Sequence, residues 1–465
     1  MALNTEENQQ RKLRVLACAY ACLLESGSPI SGGEATLGWN LARQLARFHD
    51  VWVLTATSNR KGIEAELKRQ SVANLTFHFV DLPGWMHQLL RFPGGVQLYA
   101  YFWQIRAYFA ARKLHMQVNF DVFHHITFAN DWMASYIGAL LPVPYLRGPG
   151  GGAHRTPEGF LREYSPGARF WERFRSIGQW VLRKDPFYLR SQRRAGVILL
   201  CNREAADAVP KSLRHKVQLF PVNGISADDL RIIGGENEGE SPRAETTQSP
   251  QPPARRTFEV LYAGKLLGLK GVALGIQGFA LFAQRHSDVR FSLVGDGPER
   301  ARLEALIKEL GVENSVLLKK WMPRSELLMV MRTADVFLFP SLRDGGGAVV
   351  VEAMAAGKPV VCMDLAGPGL HVTESCGIKI TPETPKQTTQ GIADALERLY
   401  QDRELLARMG KAARHRVEEA YVLDKLGDRL LGIYETVLGV NFRNGLTEIA
   451  SGTGRDVVKG SQLRS

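Results

Sequence analysis

The first half of the chain alternates short apolar runs with amphipathic segments. Leu13–Tyr20 and Val51–Thr55 are apolar enough to form buried strands. The segment between them, Gly33–Phe48, repeats leucine and phenylalanine every three or four positions, which predicts a helix. Further strands are predicted over Phe120–Thr127, Pro144–Arg147 and Gly196–Cys201. This strand–helix alternation favours a parallel, doubly wound sheet.

A second series of the same kind occupies the second half of the chain. Its strands are predicted over Phe258–Ala263, Val289–Val294, Val316–Leu318, Val336–Pro340 and Pro359–Met363. Helices are predicted between them, including Glu299–Leu310, and a last helix over Leu423–Leu438. Two such units in tandem predict an α/β fold with a ligand crevice between the carboxyl ends of the two sheets.

The segment 234–256 interrupts this pattern. It is rich in Gly, Pro, Ser, Gln and Glu and has no large apolar side chain, so it cannot bury enough surface to offset its ordering entropy. It is therefore predicted to be a disordered insert near a domain boundary. The predicted organisation is an N-terminal domain over 1–230, the insert or linker over 231–256, a C-terminal domain over 257–422, a closing helix over 423–440 and a flexible tail over 441–465.

Composition adds information on partners. Hydrophobic residues make up 45% and charged residues 23%, as in soluble globular proteins. The net charge of +12 indicates a polyanionic neighbour, such as a nucleotide ligand or an anionic membrane surface. Nucleic acid is not expected, because the Lys and Arg residues are dispersed and no known nucleic-acid-binding module is present.

The five cysteines and the N-terminus bear on location. The cysteines are odd in number, and no CxxC pair or nearby histidine cluster supports a zinc site. The first residues lack the order of a signal peptide, and the apolar stretch Val15–Leu24 is about half as long as a membrane span. We therefore expect a cytoplasmic protein that holds no metal.

The most informative segment runs from Ser341 to Val361. A strand ends just before it, three glycines open a turn, and a helix begins near Ala348. Backbone amides of Gly346, Gly347 and Ala348 at such a turn suit a diphosphate. The carboxylates of Asp344 and Glu352, eight residues apart, could bind vicinal hydroxyls at opposite ends of one nucleotide sugar. The structural alternative is a helix-capping Asp and a surface Glu.

This segment resembles the acidic-x7-Glu signature of the family 4 retaining glycosyltransferases. The resemblance implies the GT-B architecture, in which two Rossmann-like doubly wound domains face each other across a central cleft. It also implies that Asp344 contacts the sugar hydroxyls and that Glu352 contacts the ribose. The first acid of the family is usually Glu, so Asp344 is a departure from its commonest pattern.

Other segments extend the resemblance over roughly 13–440. The segment from Tyr262 to Gly271 is similar to the family's Gly-Arg-Leu…Lys-Gly element, which implies that Lys265 and Lys270 neutralise the donor diphosphate. The glycine loop after the first strand implies that Gly32 and Gly33 approach the same phosphates.

The strand at Phe120–Thr127 ends where the family often carries a histidine that faces the sugar, which makes His124 and His125 candidate catalytic residues. Because successive strand residues face opposite sides, only one of the two histidines is expected to reach the cleft. The sequence does not decide which.

Taken together, the resemblance implies transfer of a hexose-type sugar from a UDP-, GDP- or ADP-sugar to a glycan or lipid-linked acceptor, with retention of configuration. No cofactor or metal is expected, and the setting is cell-surface polysaccharide or glycoconjugate assembly. A sugar-nucleotide epimerase shares the two-domain form but lacks this set of acids and lysines. A catalytically inactive scaffold or sugar-nucleotide-binding protein is the other alternative, because three positions depart from the commonest pattern of the family. Asp344 replaces its usual Glu, Lys265 replaces its usual Arg, and Ile126 stands at the third position of its frequent His-x-His.

The stretch Trp85–His115 combines many aromatic residues with Arg and Lys. Two interpretations stay open. One is an interfacial element on an anionic membrane, which would make the protein peripheral on the inner face of the cell membrane. The other is a helix that packs into the core and has a basic outer face.

Overall fold

The computed structural model describes residues 12–22, 33–92, 94–130, 132–152, 154–164, 166–235 and 257–439. These residues form two parallel sheets with helices on their faces, as the apolar runs predict. The insert beyond residue 235 and the tail beyond residue 439 lie outside the described residues, so their predicted disorder stays a prediction.

The first sheet is built from apolar runs of three to seven residues. Its strands are β1 (Arg14–Ala19), β2 (Asp50–Ala56), β3 (Leu75–Val80), β4 (Val122–Thr127), β5 (Tyr145–Gly150), β6 (Val197–Leu200) and β7 (Val217–Leu219). They lie in the order β3-β2-β1-β4-β5-β6-β7 and all pairs are parallel. The apolar runs did not predict β3 and β7, because these are edge strands whose residues are mostly half-buried.

The second sheet has the same winding. Its strands are β8 (Phe258–Ala263), β9 (Val289–Val294), β10 (Val316–Lys319), β11 (Val336–Phe339), β12 (Val360–Met363) and β13 (Gly377–Ile380). They lie in the order β10-β9-β8-β11-β12-β13, again all parallel. In both sheets the strand order reverses beside the first strand, so the ligand crevice of such a fold opens at the carboxyl ends of β1, β4, β8 and β11.

The predicted helices at Gly33–Phe48, Glu299–Leu310 and Leu423–Leu438 are present as the first, tenth and sixteenth helices of the structure. Those between the strands of the first sheet are α1 (Gly33–Ala46), α2 (Arg60–Arg69), α3 (Gly95–Val118), α4 (Tyr136–Leu140), α5 (Pro166–Leu182), α6 (Pro186–Arg194) and α7 (Arg203–Ala208). The later ones are α8 (Ala227–Gly234), α9 (Val272–Ala283), α10 (Arg300–Glu309), α11 (Arg324–Thr333), α12 (Ala348–Ala355), α13 (Ala366–His371), α14 (Pro385–Gln401), α15 (Arg403–Ala420) and α16 (Leu423–Leu438).

Within the described residues, the chain crosses between the two domains twice, and the two crossings are hydrogen-bonded to each other. The amide of Ile225 donates to the carbonyl of Tyr421 at 2.8 Å, and the amide of Leu423 donates to the carbonyl of Ile225 at 3.1 Å. Helix α8 lies across the predicted boundary at residue 230, and its Ile233 packs in the core of the second domain. Helix α16 returns to the first domain, where Tyr434 is fully buried.

Helix α3 accounts for most of the aromatic stretch Trp85–His115. Its Tyr99 and Trp103 are buried in the core of the first domain, as the core-packing interpretation predicts. Phe109 and the preceding Trp85 remain exposed, at 60% and 73%. No helix among the described residues has both the length and the apolar character that a membrane span requires.

Leu430 tests whether α16 belongs to the first domain. Its side chain is fully buried against that core, so Leu430→Ala should lower the free energy of unfolding by about 2–5 kcal/mol. The exposed Lys425 of the same helix is the control, and Lys425→Ala should change it by less than about 0.5 kcal/mol. Urea unfolding measures both. Equal effects of the two substitutions would contradict this packing.

Candidate active site

A cavity of about 1240 Å³ lies between the two domains at the carboxyl ends of their strands. The first domain lines it with Gly33, the glycine loop Gly150–Gly152 and His154. The second domain lines it with the predicted residues Lys265, Lys270, Asp344, Gly346, Gly347, Ala348 and Glu352. The fold therefore brings together the donor-site residues predicted from the second half of the sequence. The predicted Gly32 lies outside the described residues.

Asp344 lies in the loop after β11, and three groups bind its carboxylate. Lys270 forms an ion pair with Oδ2, while the amides of Gly347 and Gly346 donate to Oδ1 at 2.7 and 3.2 Å. Burial raises the pKa of Asp344, but Lys270 and the Gly347 amide lower it by more, so the net pKa lies below its usual value. The carboxylate is therefore charged and ready to accept hydroxyl hydrogen bonds.

The turn after Asp344 leads directly into α12. Gly347 has a φ of 62°, a left-handed conformation that disfavours side chains, and Ala348 is the first residue of the helix. The carbonyl of Gly346 accepts hydrogen bonds from Asn223 Nδ2 and His371 Nε2, both at 2.5 Å. The loop is thus fixed by side chains from outside it, and it presents the amino end of α12 to the cavity.

Glu352 lies one turn further along α12, and its side chain is 12% exposed. Arg324 Nε donates to Glu352 Oε1 at 2.7 Å, and the same guanidinium forms an ion pair with Asp229. Burial raises the pKa of Glu352, and Arg324 opposes that rise only in part. No hydrogen bond to Oε2 occurs among the described residues, so this oxygen can accept a hydrogen bond from a hydroxyl group.

The two predicted lysines differ in their surroundings. Lys270 is mostly buried and is already paired with Asp344. Lys265 is exposed in the loop after β8, and its ammonium has no ion-pair partner within the described ranges. The loop that carries Lys265 packs closely against the loop after β9, because a Cβ at Gly295 would come within 1.9 Å of the Gly264 carbonyl oxygen. The site therefore offers one anchored cation and one available cation.

The structure places neither His124 nor His125 at the cavity, contrary to the expectation that one of them reaches it. Both are fully buried in the middle of β4, between helices on either face. His124 is within 2.9 Å of Tyr434 Oη and 2.6 Å of the Gly148 carbonyl, and Gln104 donates to His125 at 3.1 Å. The two histidines face opposite sides of the sheet, as predicted. Neither reaches the cavity, because β4 continues to Thr127 and only the end of the strand lies at the cavity.

His154 is the histidine that the structure brings to the cavity. It follows the glycine loop after β5, and its Cε1 would lie 3.3 Å from a Cβ on Gly345. Burial and the nearby guanidinium groups of Arg343 and Arg175 lower the pKa of His154 to about 4, so the ring is neutral at physiological pH. Its Nδ1 is buried without a hydrogen bond among the described residues. The glycine run in front of it was the one signal for this residue in the sequence.

Side chains of the first domain also bind the loop of the second. Cys201 Sγ and Asn202 Nδ2 lie 3.3 and 3.4 Å from the Gly345 carbonyl. Glu204 accepts from the Ala366 amide at 2.7 Å. The two domains therefore meet across the cleft at the segment that carries Asp344. Among the described residues, no group of three or more His, Cys, Asp or Glu could hold a metal ion.

Comparison with known proteins agrees with this geometry. The family model described as glycosyl transferases group 1 matches residues 244–416. Alpha-D-kanosaminyltransferase from Streptomyces kanamyceticus is 33% identical over 180 residues, which are 38% of this chain and 45% of that protein. A 2-deoxystreptamine glucosyltransferase from the same organism is 26% identical over 267 residues, 57% of this chain and 64% of that protein. The matched stretches thus span about half of these relatives' own length.

Solved structures share the fold over nearly the whole chain. Sucrose-phosphate synthase from Thermosynechococcus elongatus superposes with a TM-score of 0.60 at 16% identity, over 92% of this chain and 100% of that one. Anabaena HepE, in complex with UDP-glucose, gives 0.57 at 17% identity, over 91% and 100%. WaaG, a glycosyltransferase involved in lipopolysaccharide biosynthesis, gives 0.52 at 18% identity, over 90% and 100%. The predicted GT-B fold class is confirmed.

Asp344 should make stability depend on pH. Asp344→Asn leaves Lys270 without its anion and should cost about 3–5 kcal/mol at neutral pH. Because the folded-state pKa is depressed, the wild-type advantage is present above the unfolded value of 3.8 and disappears as the pH falls through the lower folded value. Urea unfolding at several pH values measures the difference. The exposed Asp207→Asn serves as control, and a gap that is constant with pH would refute the account.

The two histidine positions should respond in opposite ways. His124→Ala removes buried hydrogen bonds and opens a void, so it should lower the free energy of unfolding by about 2–4 kcal/mol and leave the affinity of the cavity for its ligand unchanged. His154→Ala should leave stability within about 1 kcal/mol and weaken ligand binding or turnover. Thermal unfolding and calorimetric titration with UDP-glucose separate these effects. A loss of affinity in the His124 variant alone would reverse the assignment.

Proposed function

We propose, on the basis of the glycosyl transferases group 1 model that matches residues 244–416, that this chain is a retaining glycosyltransferase. It moves a hexose-type sugar from a nucleotide diphosphate sugar to a glycan or lipid-linked acceptor. The observation that carries the proposal is the pair of carboxylates, Asp344 held by Lys270 and Glu352 held by Arg324, on one wall of the interdomain cavity. Membership of family 4 is part of the proposal.

The donor would lie along the second domain. Glu352 is buried enough to bind the ribose hydroxyls with a strong, charge-assisted hydrogen bond through its open oxygen. Asp344 would accept hydrogen bonds from the sugar hydroxyls. Because Lys270 is paired with Asp344, its ammonium lies where the sugar and the diphosphate meet. Lys265 and the first amides of α12 would complete the binding of the diphosphate.

In the proposed reaction, the bond between the anomeric carbon and the diphosphate oxygen breaks as the acceptor hydroxyl attacks from the same face. The acceptor oxygen forms the new glycosidic bond, and its proton passes to the departing diphosphate. Lys265, Lys270 and the amino end of α12 stabilise the negative charge that grows on the leaving group. These groups are in place before the reaction, so they need no reorganisation during it.

His154 would contact the sugar or the acceptor from the first domain. A neutral imidazole has one donor and one acceptor nitrogen, so it can orient a hydroxyl without adding charge to the site. This gives His154 the place that the resemblance assigned to His124 or His125. Its neighbour, the glycine loop Gly150–Gly152, leaves room for an acceptor because it has no side chains.

The wider setting is also part of the proposal. The structural neighbour HepE was solved with UDP-glucose and WaaG is involved in lipopolysaccharide biosynthesis, which supports UDP-glucose as the first donor to test and cell-surface glycoconjugate assembly as the setting. UDP-, GDP- and ADP-sugars all remain donor candidates. The protein would act in the cytoplasm, at the inner face of the cell membrane, and would need no metal.

Glu352→Gln tests the proposal directly. It removes the charge but leaves Arg324 paired with Asp229, so the fold should persist. A hydrogen bond to a charged group contributes about 1.5–3 kcal/mol, so the Kd of the preferred donor should rise about 10- to 150-fold. Calorimetric titration of UDP-, GDP- and ADP-sugars against wild type, Glu352→Gln and the exposed control Glu313→Gln measures this.

The products complete the test. Release of nucleoside diphosphate should depend on an acceptor and persist in EDTA, and NMR of the first product should show the anomeric configuration of the donor. Inversion would contradict the retaining mechanism. Donor binding without turnover for any acceptor would favour the inactive sugar-nucleotide-binding protein, and no donor binding would refute the proposal.

A further inference from the structure

Helix α5 turns its polar face towards the protein and its apolar face towards solvent, which is the reverse of an ordinary surface helix. The polar side chains of Glu172 and Gln179 face the protein and are 7% and 3% exposed. Phe174 and Ile177 face solvent and are 59% and 64% exposed. The large side chains on this outer face are Phe170, Trp171, Phe174, Ile177, Trp180 and Val181.

The polar inner face of α5 holds the candidate active site. Glu172 forms ion pairs with Arg175 and with Arg343, the residue before Asp344. Arg175 and Gln179 each donate to the Gly152 carbonyl at 3.3 Å. These contacts explain why the inner face is polar, because it binds backbone carbonyls and a guanidinium instead of a hydrophobic core.

The apolar outer face has no such explanation within the described chain. A surface helix normally turns its apolar stripe towards the core, whereas here the stripe is exposed along the whole helix. Contiguous exposed apolar patches of this kind mark surfaces that are covered by a partner or a membrane. The exposed side chains therefore indicate that a binding partner which accommodates aromatic and aliphatic groups covers this face.

The charges next to the apolar face identify the occupant. The stretch 166–184 contains five basic residues and one acid, and that acid, Glu172, pairs with Arg175 on the inner face. No acid of this stretch balances the other four basic residues, Arg169, Arg173, Arg183 and Lys184. Lys184 is exposed and its Nζ lies 3.5 Å from the ring centre of Trp180. Tryptophan and phenylalanine beside arginine and lysine are the composition of helices that lie in the headgroup region of anionic bilayers.

We propose that α5 docks the protein on an anionic lipid bilayer, with its apolar face inserted at the level of the headgroups. This deepens the proposed function, since it would bring a lipid-linked acceptor beside the glycine loop and His154, which the other face of α5 holds. The docking itself does not require the transferase activity. The aromatic residues before and within α3 are not needed for it.

Sedimentation with vesicles tests the docking. Full-length protein is mixed with vesicles of phosphatidylcholine and phosphatidylglycerol in a two-to-one ratio, and with vesicles of phosphatidylcholine alone. Binding should require the anionic lipid and fall at high salt. Phe174→Glu/Ile177→Glu should lower the partition coefficient by at least about tenfold. Arg169→Glu/Arg173→Glu should lower it by at least about fivefold for each residue.

The controls separate docking from folding and from catalysis. Met329→Glu changes an exposed apolar residue of α11 in the second domain and should bind vesicles as wild type does. The α5 variants change exposed residues and the half-buried Arg169, so their melting temperatures and their affinity for UDP-glucose should stay near wild type. If vesicle binding holds while no donor binds, the docking stands and the proposed function fails.

Three results would overturn the docking. One is equal binding to both kinds of vesicle, and another is equal loss in the Met329 control. The third is a wild-type protein that does not bind vesicles. If that protein forms a dimer which Phe174→Glu/Ile177→Glu dissociates, the outer face of α5 is an interface between copies of the chain.

Discussion

A buried carboxylate stays charged only where a cation and backbone amides meet it, and the site is built around this requirement at Asp344. Lys270 supplies the cation, and the turn at Gly346 and Gly347 supplies the amides. The turn needs glycine because Gly347 is left-handed, and the helix that follows it sets the place of Glu352. One electrostatic constraint therefore fixes the loop, the start of α12 and the spacing of the two acids.

The same loop joins the two domains. Cys201, Asn202 and Asn223 bind its carbonyl groups, and Arg343 reaches Glu172 on α5. Cys201 and Asn223 line the cavity from the side of the first domain, as His154 does. The surface that we assign to the lipid bilayer and the candidate active site therefore share helix α5.

Most of the fold was predictable because buried parallel strands are continuous apolar runs. The strands at Phe258–Ala263 and Val289–Val294 and the helix at Leu423–Leu438 have the predicted bounds. The edge strands β3, β7 and β13 were missed, since many of their residues are only half-buried and they form no continuous apolar run. That Asp344, the glycine turn and Glu352 lie together at the cavity was predictable for a related reason, because they are close in sequence and local spacing settles their geometry.

The sequence by itself determined the two doubly wound domains, the family resemblance and the residues of the loop that follows β11, because each depends on neighbours along the chain. Only the tertiary structure decided which histidine reaches the cavity. His124 and His125 lie too deep in β4, while His154 arrives from a loop whose path depends on α5. It also decided that α16 packs on the first domain and that α5 turns its apolar face outward. Both depend on partners distant in sequence, and a periodic pattern cannot show which of its faces the rest of the chain will cover.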